Sequence, residues 1–425
     1  MRTPRTAPRT APRAALRTAL AGCLLALTAL TGAACSGPAD RDTLVVLGPW
    51  TGEEGEAFEA TLRKLDDGTG HTYTYEGTRS LRETLVAQLE ADAPPDVAIL
   101  NSIGELTEYA DKGKLRPLDS DAAQRAYPPW VPTLIVNNRN QTFWVPLKVD
   151  LKSLVWSKEA TSGDAVRWCL GLASQATSGW PGTDWIEDIL LHQAGPTEYA
   201  KWATGTLKWS SPEVRRAWET WASLLGRRTS DERARSLQTS YEGPDGDGLL
   251  NSGTGAEACT HEHQNAFIRY LYTDDGVRVE SSAPFLGGDS QYDDAYEVSG
   301  DMAAVFSDNP AAQELVDRLS GDDGRKLWQK KAKPAVRPLF PGPKDPRPDD
   351  TIGGKIASML NAPGRTLCFD ASDVMPPQLR DAFYRAVLEY VEEETTPEEL
   401  TSLLDQLDEL TDQNKRKQSL AGICT

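Results

Sequence analysis

The 425-residue sequence lacks the motifs of several common enzyme classes. It contains no Walker A loop, no G-x-G-x-x-G after a strand and no G-x-S-x-G, so the signatures of nucleotide binding and serine hydrolysis are missing. Positive charge is also scarce, because 45 lysine and arginine residues face 63 acidic ones and the net charge is −18. An acidic chain repels the phosphates of nucleic acids and anionic lipid headgroups. We therefore predict no nucleic-acid partner.

The first 35 residues are typical of an export signal. Residues 1–17 carry five arginines and no acid, residues 18–34 are small and apolar, and Cys35 follows. This order marks a cleaved leader, and the apolar part is shorter than the roughly 20 residues of a membrane span. It resembles a bacterial lipoprotein signal, in which the cysteine after the cleavage site carries lipid. We predict cleavage after residue 34, lipidation of Cys35 and a tether over 35–41; lipidation of Cys23 and secretion without lipid remain alternatives.

Four further cysteines lie in the exported part of the chain. An even number in an oxidising compartment indicates two disulfides, with three possible connectivities. We favour the sequential pairing, Cys169 with Cys259 and Cys368 with Cys424, over buried free thiols.

Strand and helix patterns alternate in the first third of the chain. Apolar strands are predicted at residues 42–47, from His71 and at 96–100, with helices at 53–65 and 81–89 between them. This rhythm favours a parallel α/β sheet covered by helices. Later residues give two strand-like pieces at 143–156, helices at 185–225, 309–319, 376–394 and 397–412, and a loop at 243–255.

Several segments together resemble the bacterial extracellular solute-binding proteins of the maltose-binding type, the receptors of carbohydrate ABC importers. They are GPWTGEEGEAF (48–58), YEGTRS (75–80), PPDVAILNSIGELTEYADKGKLRPLD (94–119), VPLKVDLKSLVWSK (145–158) and TSGWPGTDWIEDILLHQAG (177–195). The resemblance implies a type II periplasmic-binding-protein fold with two α/β lobes, a multi-crossing hinge and a ligand cleft. It implies an N-terminal lobe of residues 42–148 plus 299–345 and a C-terminal lobe of 149–298 plus 346–425. One departure is the segment Ser157–Arg167, which is shorter than in relatives.

The resemblance implies a monomeric receptor, anchored by lipid outside the cell membrane, that delivers a sugar to ABC permease subunits. No cofactor, metal site or catalysis is expected. Aromatic rings can cover the apolar face of a sugar, and carboxylates accept its hydroxyl hydrogens. The ligand-binding residues predicted on this basis are Trp50, Thr51, Glu53, Glu76, Arg79, Asn101, Asp150, Trp180, Asp184, Trp185 and Gln264.

Other interpretations of the same residues remain open. Acidic groups beside tryptophans also suit a cationic solute, and the short 157–167 segment also suits a receptor used only for sensing. Asp184 and Glu187 resemble a glycosidase pair, although acids at the start of a helix need no chemistry. The Cys259-x-His261-x-His263 spacing lacks the second pair of a zinc site.

Overall fold

The computed structural model describes residues 43–425 except 67–69, 120, 137, 159–165, 253–257, 273–275, 394 and 415–419. The predicted leader, Cys35 and the tether lie outside these residues, as does most of the short 157–167 segment. Thr43–Thr425 form one compact unit. Within the described ranges, no helix has the length and apolar character needed to cross a membrane.

The strands alternate with helices in the first third of the chain, as the sequence predicts. The strands of the described ranges are β1 Thr43–Gly48, β2 Thr72–Gly77, β3 Val97–Leu100, β4 Ile135–Val136, β5 Arg139–Asn140, β6 Trp144–Leu151, β7 Leu154–Lys158, β8 His261–His263, β9 Val277–Ser281, β10 Ala295–Val305 and β11 Thr366–Phe369.

The helices cover the sheets and fill the C-terminal third. They are α1 Gly52–Asp66, α2 Leu81–Glu90, α3 Ile103–Asp111, α4 Asp121–Gln124, α5 Trp180–Ala203, α6 Pro212–Leu225, α7 Ser230–Gln238, α8 Pro310–Ser320, α9 Asp322–Lys331, α10 Thr351–Leu360, α11 Ala371–Val374, α12 Pro377–Glu392 and α13 Pro397–Gln413. Short 3₁₀ turns occur at Gln175–Thr177, Leu249–Asn251, Ala266–Leu271, Ala283–Phe285, Ser290–Tyr292 and Pro334–Val336.

The largest sheet has the order β11-β10-β3-β1-β2, with β6 also paired to β10. Strands β1, β2 and β3 run parallel, whereas β10 runs antiparallel to both β3 and β6. All four residues of β3 are buried, which explains its continuous apolar run in the sequence. The predicted α/β class is confirmed, and the parallel strands direct their carboxyl ends to one edge of the sheet.

A second, smaller sheet has three strands in the order β8-β7-β9. Strands β6 and β7 follow each other closely, so the chain passes directly from the large sheet into the small one. The backbone N–H of Val149 in β6 also donates to the carbonyl of Leu339. The long strands β6 and β10 pair with each other, and β10 also pairs with β3 and β11.

Two disulfides join the pairs predicted from the sequence. Cys169 is bonded to Cys259, 90 residues later, and Cys368 is bonded to Cys424, 56 residues later. The first lies beside β8, and the second ties β11 to the end of the chain.

The start of α5 corrects one sequence interpretation. The helix predicted to begin at residue 185 begins five residues earlier, because α5 starts at Trp180. Gly179 has φ +106°, and a Cβ there would come within 2.3 Å of the Tyr384 carbonyl oxygen, so glycine is required just before the helix. Proline in a first helical turn costs no hydrogen bond, and Pro181 occupies that turn.

Candidate functional site

The carboxyl ends of β1, β2 and β3 bring three of the predicted segments to one edge. Thr51 follows β1, Arg79 follows β2 and Asn101 follows β3, while Gly48 and Gly77 pair in register. Arg79 Nε donates to Thr51 Oγ1 at 3.2 Å. Ligands of open α/β sheets bind outside such carboxyl ends. The loops at this edge therefore form the N-terminal wall of a candidate cleft.

Two predicted acids at this edge are exposed. Glu76 accepts a hydrogen bond from Gln88 Nε2 at 3.3 Å, and Glu53 pairs with Lys333. Both keep carboxylate oxygens open to solvent, where a solute hydroxyl or ammonium can reach them.

Trp50 is not open to the cleft, because it is only 3% exposed. Its ring packs on Phe58 and Trp328, at centroid distances of 4.7 and 4.8 Å. Its indole N–H donates to Asp301 Oδ2 at 2.9 Å. Trp50 thus joins the apolar core to strand β10, which contains Asp301.

A charged cluster centred on Lys148 lies where α1, β6 and β10 meet. We call it the hinge cluster; its members are Glu54, Lys148, Asp150, Arg269 and Asp301. Its ammonium lies 2.5 Å from Glu54 Oε1, 3.4 Å from Asp301 Oδ2 and 3.8 Å from Asp150 Oδ2. Arg269 adds a second cation, 3.9 Å from Asp150 Oδ1. Two cations thus face three carboxylates where α1 approaches the paired strands β6 and β10.

Burial dominates the electrostatics of this hinge cluster. It raises the pKa of Asp301 to about 6, with Lys148 opposing the rise and the neighbouring acids adding to it. Burial also raises the pKa of Asp150. The three acids in turn hold the pKa of Lys148 above its usual range despite its burial. The cluster is therefore held together by its one central ammonium.

An aromatic wall faces this edge from the other half of the chain. We use the name for Trp180, Tyr241, Phe267 and Tyr270. Trp180 lies 5.1 Å from Tyr241 and 5.9 Å from Phe267, and Phe267 stacks on Tyr270 at 6.4 Å. Trp180, Phe267 and Tyr270 are each partly exposed, and Tyr270 donates to Glu242. Offset rings with an open side can cover an apolar face of a solute.

Arg79 connects the two walls. Burial raises the pKa of Tyr241 and Tyr270, and the nearby positive charge of Arg79, which follows β2, opposes this rise. Thr51, Arg79 and the aromatic wall therefore border one space. The sequence analysis singled out Trp180 and Arg79 but missed Tyr241, Phe267 and Tyr270, whose only signal is their aromatic type in irregular segments.

Three predicted ligand residues lie instead in the core of the described chain. Asp184 and Gln264 are 2% exposed and Trp185 is 1% exposed. Trp185 packs on Trp168 at 4.7 Å and on His263 at 4.5 Å. We do not carry these three residues into the proposed binding site.

Asn101 lies between the cleft edge and α11. Its Nδ2 donates to Asp373 Oδ2 at 3.0 Å, and the neighbouring Ser102 hydroxyl donates to the Asp373 carbonyl. Arg380 reinforces the contact through Glu105 at 2.6 Å. Asn101 therefore connects α3 to the C-terminal helices in this conformation.

Asp184 belongs to a buried carboxylate cluster that also contains Glu187, Glu297 and Asp370. One oxygen of each lies within 4.8 Å of the others. Lys152 is the cation among them, 2.8 Å from Asp184 Oδ1 and in contact with Asp370. Glu187 is fully buried, so neither it nor Asp184 can reach a glycoside in this conformation. Glu187 and Asp188 lie in the third turn of α5, so the expected helix-start role is wrong.

His263 is bonded within the core. Its Nε2 lies 2.8 Å from Asp188 Oδ2, and Asp188 also accepts from the Ser153 hydroxyl at 2.6 Å. Burial acts to raise the pKa of Asp188, but His192 and His263 together hold it far below its usual range. The C-x-H-x-H segment is thus a disulfide-bonded core strand.

Sequence comparison identifies the family that this arrangement resembles. Residues 51–229 match the sequence model of the family described as bacterial extracellular solute-binding protein. The osmoprotective compounds-binding protein GgtB of Synechocystis sp. is 26% identical over 413 residues, covering 87% of this chain and 93% of that protein. The alpha-glucosides-binding periplasmic protein AglE of Rhizobium meliloti is 26% identical over 390 residues, covering 82% and 83%.

Solved structures share the whole fold. The solute receptor AcbH, which prefers b-D-galactopyranose, aligns with a TM-score of 0.69 at 13% identity, covering 88% of this chain and 99% of that one. A chitin oligosaccharide binding protein aligns with a TM-score of 0.66 at 15% identity, covering 88% and 98%. The predicted two-lobed binding-protein fold is confirmed.

Proposed function

From its place among the solute-binding proteins of bacterial ABC transporters, we propose that this chain captures a sugar or an oligosaccharide and delivers it to an importer. The observation that supports a sugar as the ligand is the aromatic wall, which lies near Arg79 and Thr51. Partly exposed rings suit the C–H face of a pyranose. The hydroxyl of Thr51 and the carboxylate of Glu76 suit its hydroxyl groups.

Capture in this proposal proceeds by closure of the hinge. One wall follows strands of the large sheet, the aromatic wall lies outside that sheet, and β6 leads from the large sheet into the small one. A sugar that contacts both walls binds the closed form better than the open form, so it shifts the population toward closure. The proposed contact residues are Thr51, Glu53, Glu76, Arg79, Asn101, Asp150, Trp180, Tyr241, Phe267 and Tyr270.

Anchoring by lipid on Cys35 is the second part of the proposal. It rests on the leader pattern and on the extracellular family. A receptor that is anchored to the outer face of the cell membrane stays close to its permease. Metabolic labelling with an alkyne fatty acid tests this in cells that express the full chain: Cys35→Ala should lose the label, whereas Cys23→Ala should keep it.

A thermal-shift screen tests the ligand class. The relatives and structural neighbours are named for α-glucosides, galactopyranose and chitin oligosaccharides, so these sugars form the first panel. A ligand that binds only the folded protein raises its melting temperature. A shift with at least one sugar supports the proposal. No shift across the panel, with a clear shift from another solute class, contradicts its sugar part.

A cationic solute is the second candidate. Glu242 lies at the aromatic wall through Tyr270, and Glu76 is exposed at the opposite edge. Rings and carboxylates together suit a quaternary amine or a polyamine. GgtB is named for osmoprotective compounds, a class that includes such amines as well as sugars. Glycine betaine and spermidine therefore belong in the same screen.

A further inference from the structure

The strongest unexplained feature is the buried carboxylate cluster of Asp184, Glu187, Glu297 and Asp370. All four side chains are buried, and Lys152 is the basic side chain paired with them. One ammonium balances one of four possible negative charges. Uncompensated charge in a protein interior is costly, so the cluster must bind either protons or a further cation.

The hydrogen bonds of the cluster leave specific oxygens without a donor. Among the described atoms, Asp184 Oδ2, Glu187 Oε1 and both oxygens of Glu297 accept no hydrogen bond. Glu297 is 0% exposed, and Lys152 Nζ approaches its Oε1 only to 3.7 Å. A fully buried carboxylate with two unsatisfied oxygens, aimed into a cluster of other carboxylates, is rare in native proteins. This points to a missing ligand at the cluster.

From this geometry we infer that the buried carboxylate cluster binds one Ca²⁺ ion. The donor set consists of hard oxygens, which select Ca²⁺, Mg²⁺ or Mn²⁺ over softer metals. Ca²⁺ binds oxygens at about 2.3–2.6 Å and tolerates irregular geometry, whereas Mg²⁺ demands a near-ideal octahedron at about 2.0–2.1 Å. An oxygen spacing of up to 4.8 Å matches opposite ligands of Ca²⁺ and exceeds the span of a Mg²⁺ site. The sequence analysis expected no metal. The four residues are scattered over 187 positions of the chain, so no local spacing signals the cluster.

The site would connect separate parts of the fold. Glu297 belongs to β10, Asp184 and Glu187 belong to α5, and Asp370 follows β11. Lys152, after β6, occupies the opposite oxygen of Asp184 and so leaves Asp184 Oδ2 for the ion. A bound Ca²⁺ would fix α5 to the hinge strand β10, independently of which solute the cleft takes.

The test begins with the full mature protein freed of metal by EDTA. Its melting temperature is measured during a CaCl₂ titration, and calorimetry gives the stoichiometry. We expect about one Ca²⁺ per chain and a melting temperature that rises by several degrees. Glu297→Gln should weaken Ca²⁺ binding at least about tenfold, the scale on which metal sites respond to altered ligation. Glu56→Gln, at an exposed carboxylate of α1, is the matched control and should bind Ca²⁺ normally.

A second measurement on the unaltered protein keeps the test decisive if the Glu297 variant does not fold. Tb³⁺ replaces Ca²⁺ in oxygen sites, and its emission lifetime in H₂O and D₂O reports the number of bound waters. A buried site gives nearly equal lifetimes and loses Tb³⁺ to added Ca²⁺. Failure of millimolar Ca²⁺ to change the melting temperature, or equal binding by the Glu297→Gln and Glu56→Gln variants, would overturn the inference. In that case the cluster holds protons instead.

Discussion

The ring of Trp180 contacts Tyr241 and Phe267, and its side chain is partly exposed to solvent. If a sugar stacks on it, Trp180→Ala should weaken sugar binding by about 1–3 kcal/mol, the scale of an aromatic contact at a binding hot spot. Folding stability should change less, because the ring is not fully enclosed. A binding isotherm and a melting curve on the same variant check both expectations.

Trp218 provides the matched control on the same lobe. It is 0% exposed and packs on Tyr390 at 5.0 Å. Trp218→Ala should therefore lower the free energy of unfolding by about 3–5 kcal/mol, the cost of a large cavity, with affinity little changed. If Trp180→Ala instead behaves like this control, Trp180 leaves the binding site.

Asp301 gives the hinge cluster a measurable pH dependence. Its folded pKa is raised to about 6, whereas an unfolded aspartate titrates near 3.9. The folded state therefore binds this proton more tightly, and the contribution of Asp301 to stability falls as pH rises from about 4 to 6. Asp301→Asn removes this pH-dependent loss of stability, and the asparagine side-chain oxygen can still accept the hydrogen bond from the Trp50 indole N–H. In urea unfolding, the free energy of unfolding of the variant should rise relative to that of the wild type by on the order of 2 kcal/mol across this pH range.

Asp308 serves as the comparison of opposite sign. It is exposed, and its hydrogen bond from Arg116 lowers its pKa. Any stability that it contributes is present above the unfolded pKa and is lost as pH falls. A parallel pH profile for the Asp301→Asn and Asp308→Asn variants would contradict the role of burial at Asp301.

At the scale of elements, the disulfide Cys169–Cys259 closes a long segment around β8. Its sequence separation is 90 residues, for which chain entropy predicts a stabilisation of about 4–5 kcal/mol. Replacing both cysteines by alanine should lower the free energy of unfolding by about this amount, as measured in urea. A loss below about 1 kcal/mol would mean that the unfolded chain is already constrained in this region.

The elements also show what the sequence could and could not predict. Helix α1 and strand β3 followed from local patterns, because amphipathic spacing and a continuous apolar run report burial directly. The start of α5 did not, since Gly179 and Pro181 resemble a loop unless the contact with Tyr384 is known. Helices α9 and α10 were not predicted from the sequence.

The candidate site divides along the same line. Thr51, Glu76 and Arg79 could be predicted, because they follow strands whose parallel order places their ends at one edge. The aromatic wall and the buried carboxylate cluster could not, since their members come from distant segments that only tertiary contacts bring together. Asp184 was chosen for its residue type, yet residue type alone does not distinguish a cleft carboxylate from a buried one.

At the scale of the whole molecule, β6 of the large sheet leads directly into β7 of the small sheet, and the proposed cleft is bordered by the loops after β1 and β2 and by the aromatic wall. A neutral solute held between the walls contributes through stacking and hydrogen bonds, which salt barely screens. A cationic solute contributes through exposed charges, which salt weakens. The salt dependence of binding therefore distinguishes the two ligand classes that the cleft suits.

Capture of a neutral sugar is tested most directly by isothermal titration calorimetry of the mature protein with the sugar panel at low and high sodium chloride. We expect saturable binding of about one molecule per chain for at least one sugar, with an affinity that changes less than about twofold between the two salt concentrations. No heat from any sugar, together with salt-sensitive binding of a quaternary amine or polyamine, would contradict sugar capture.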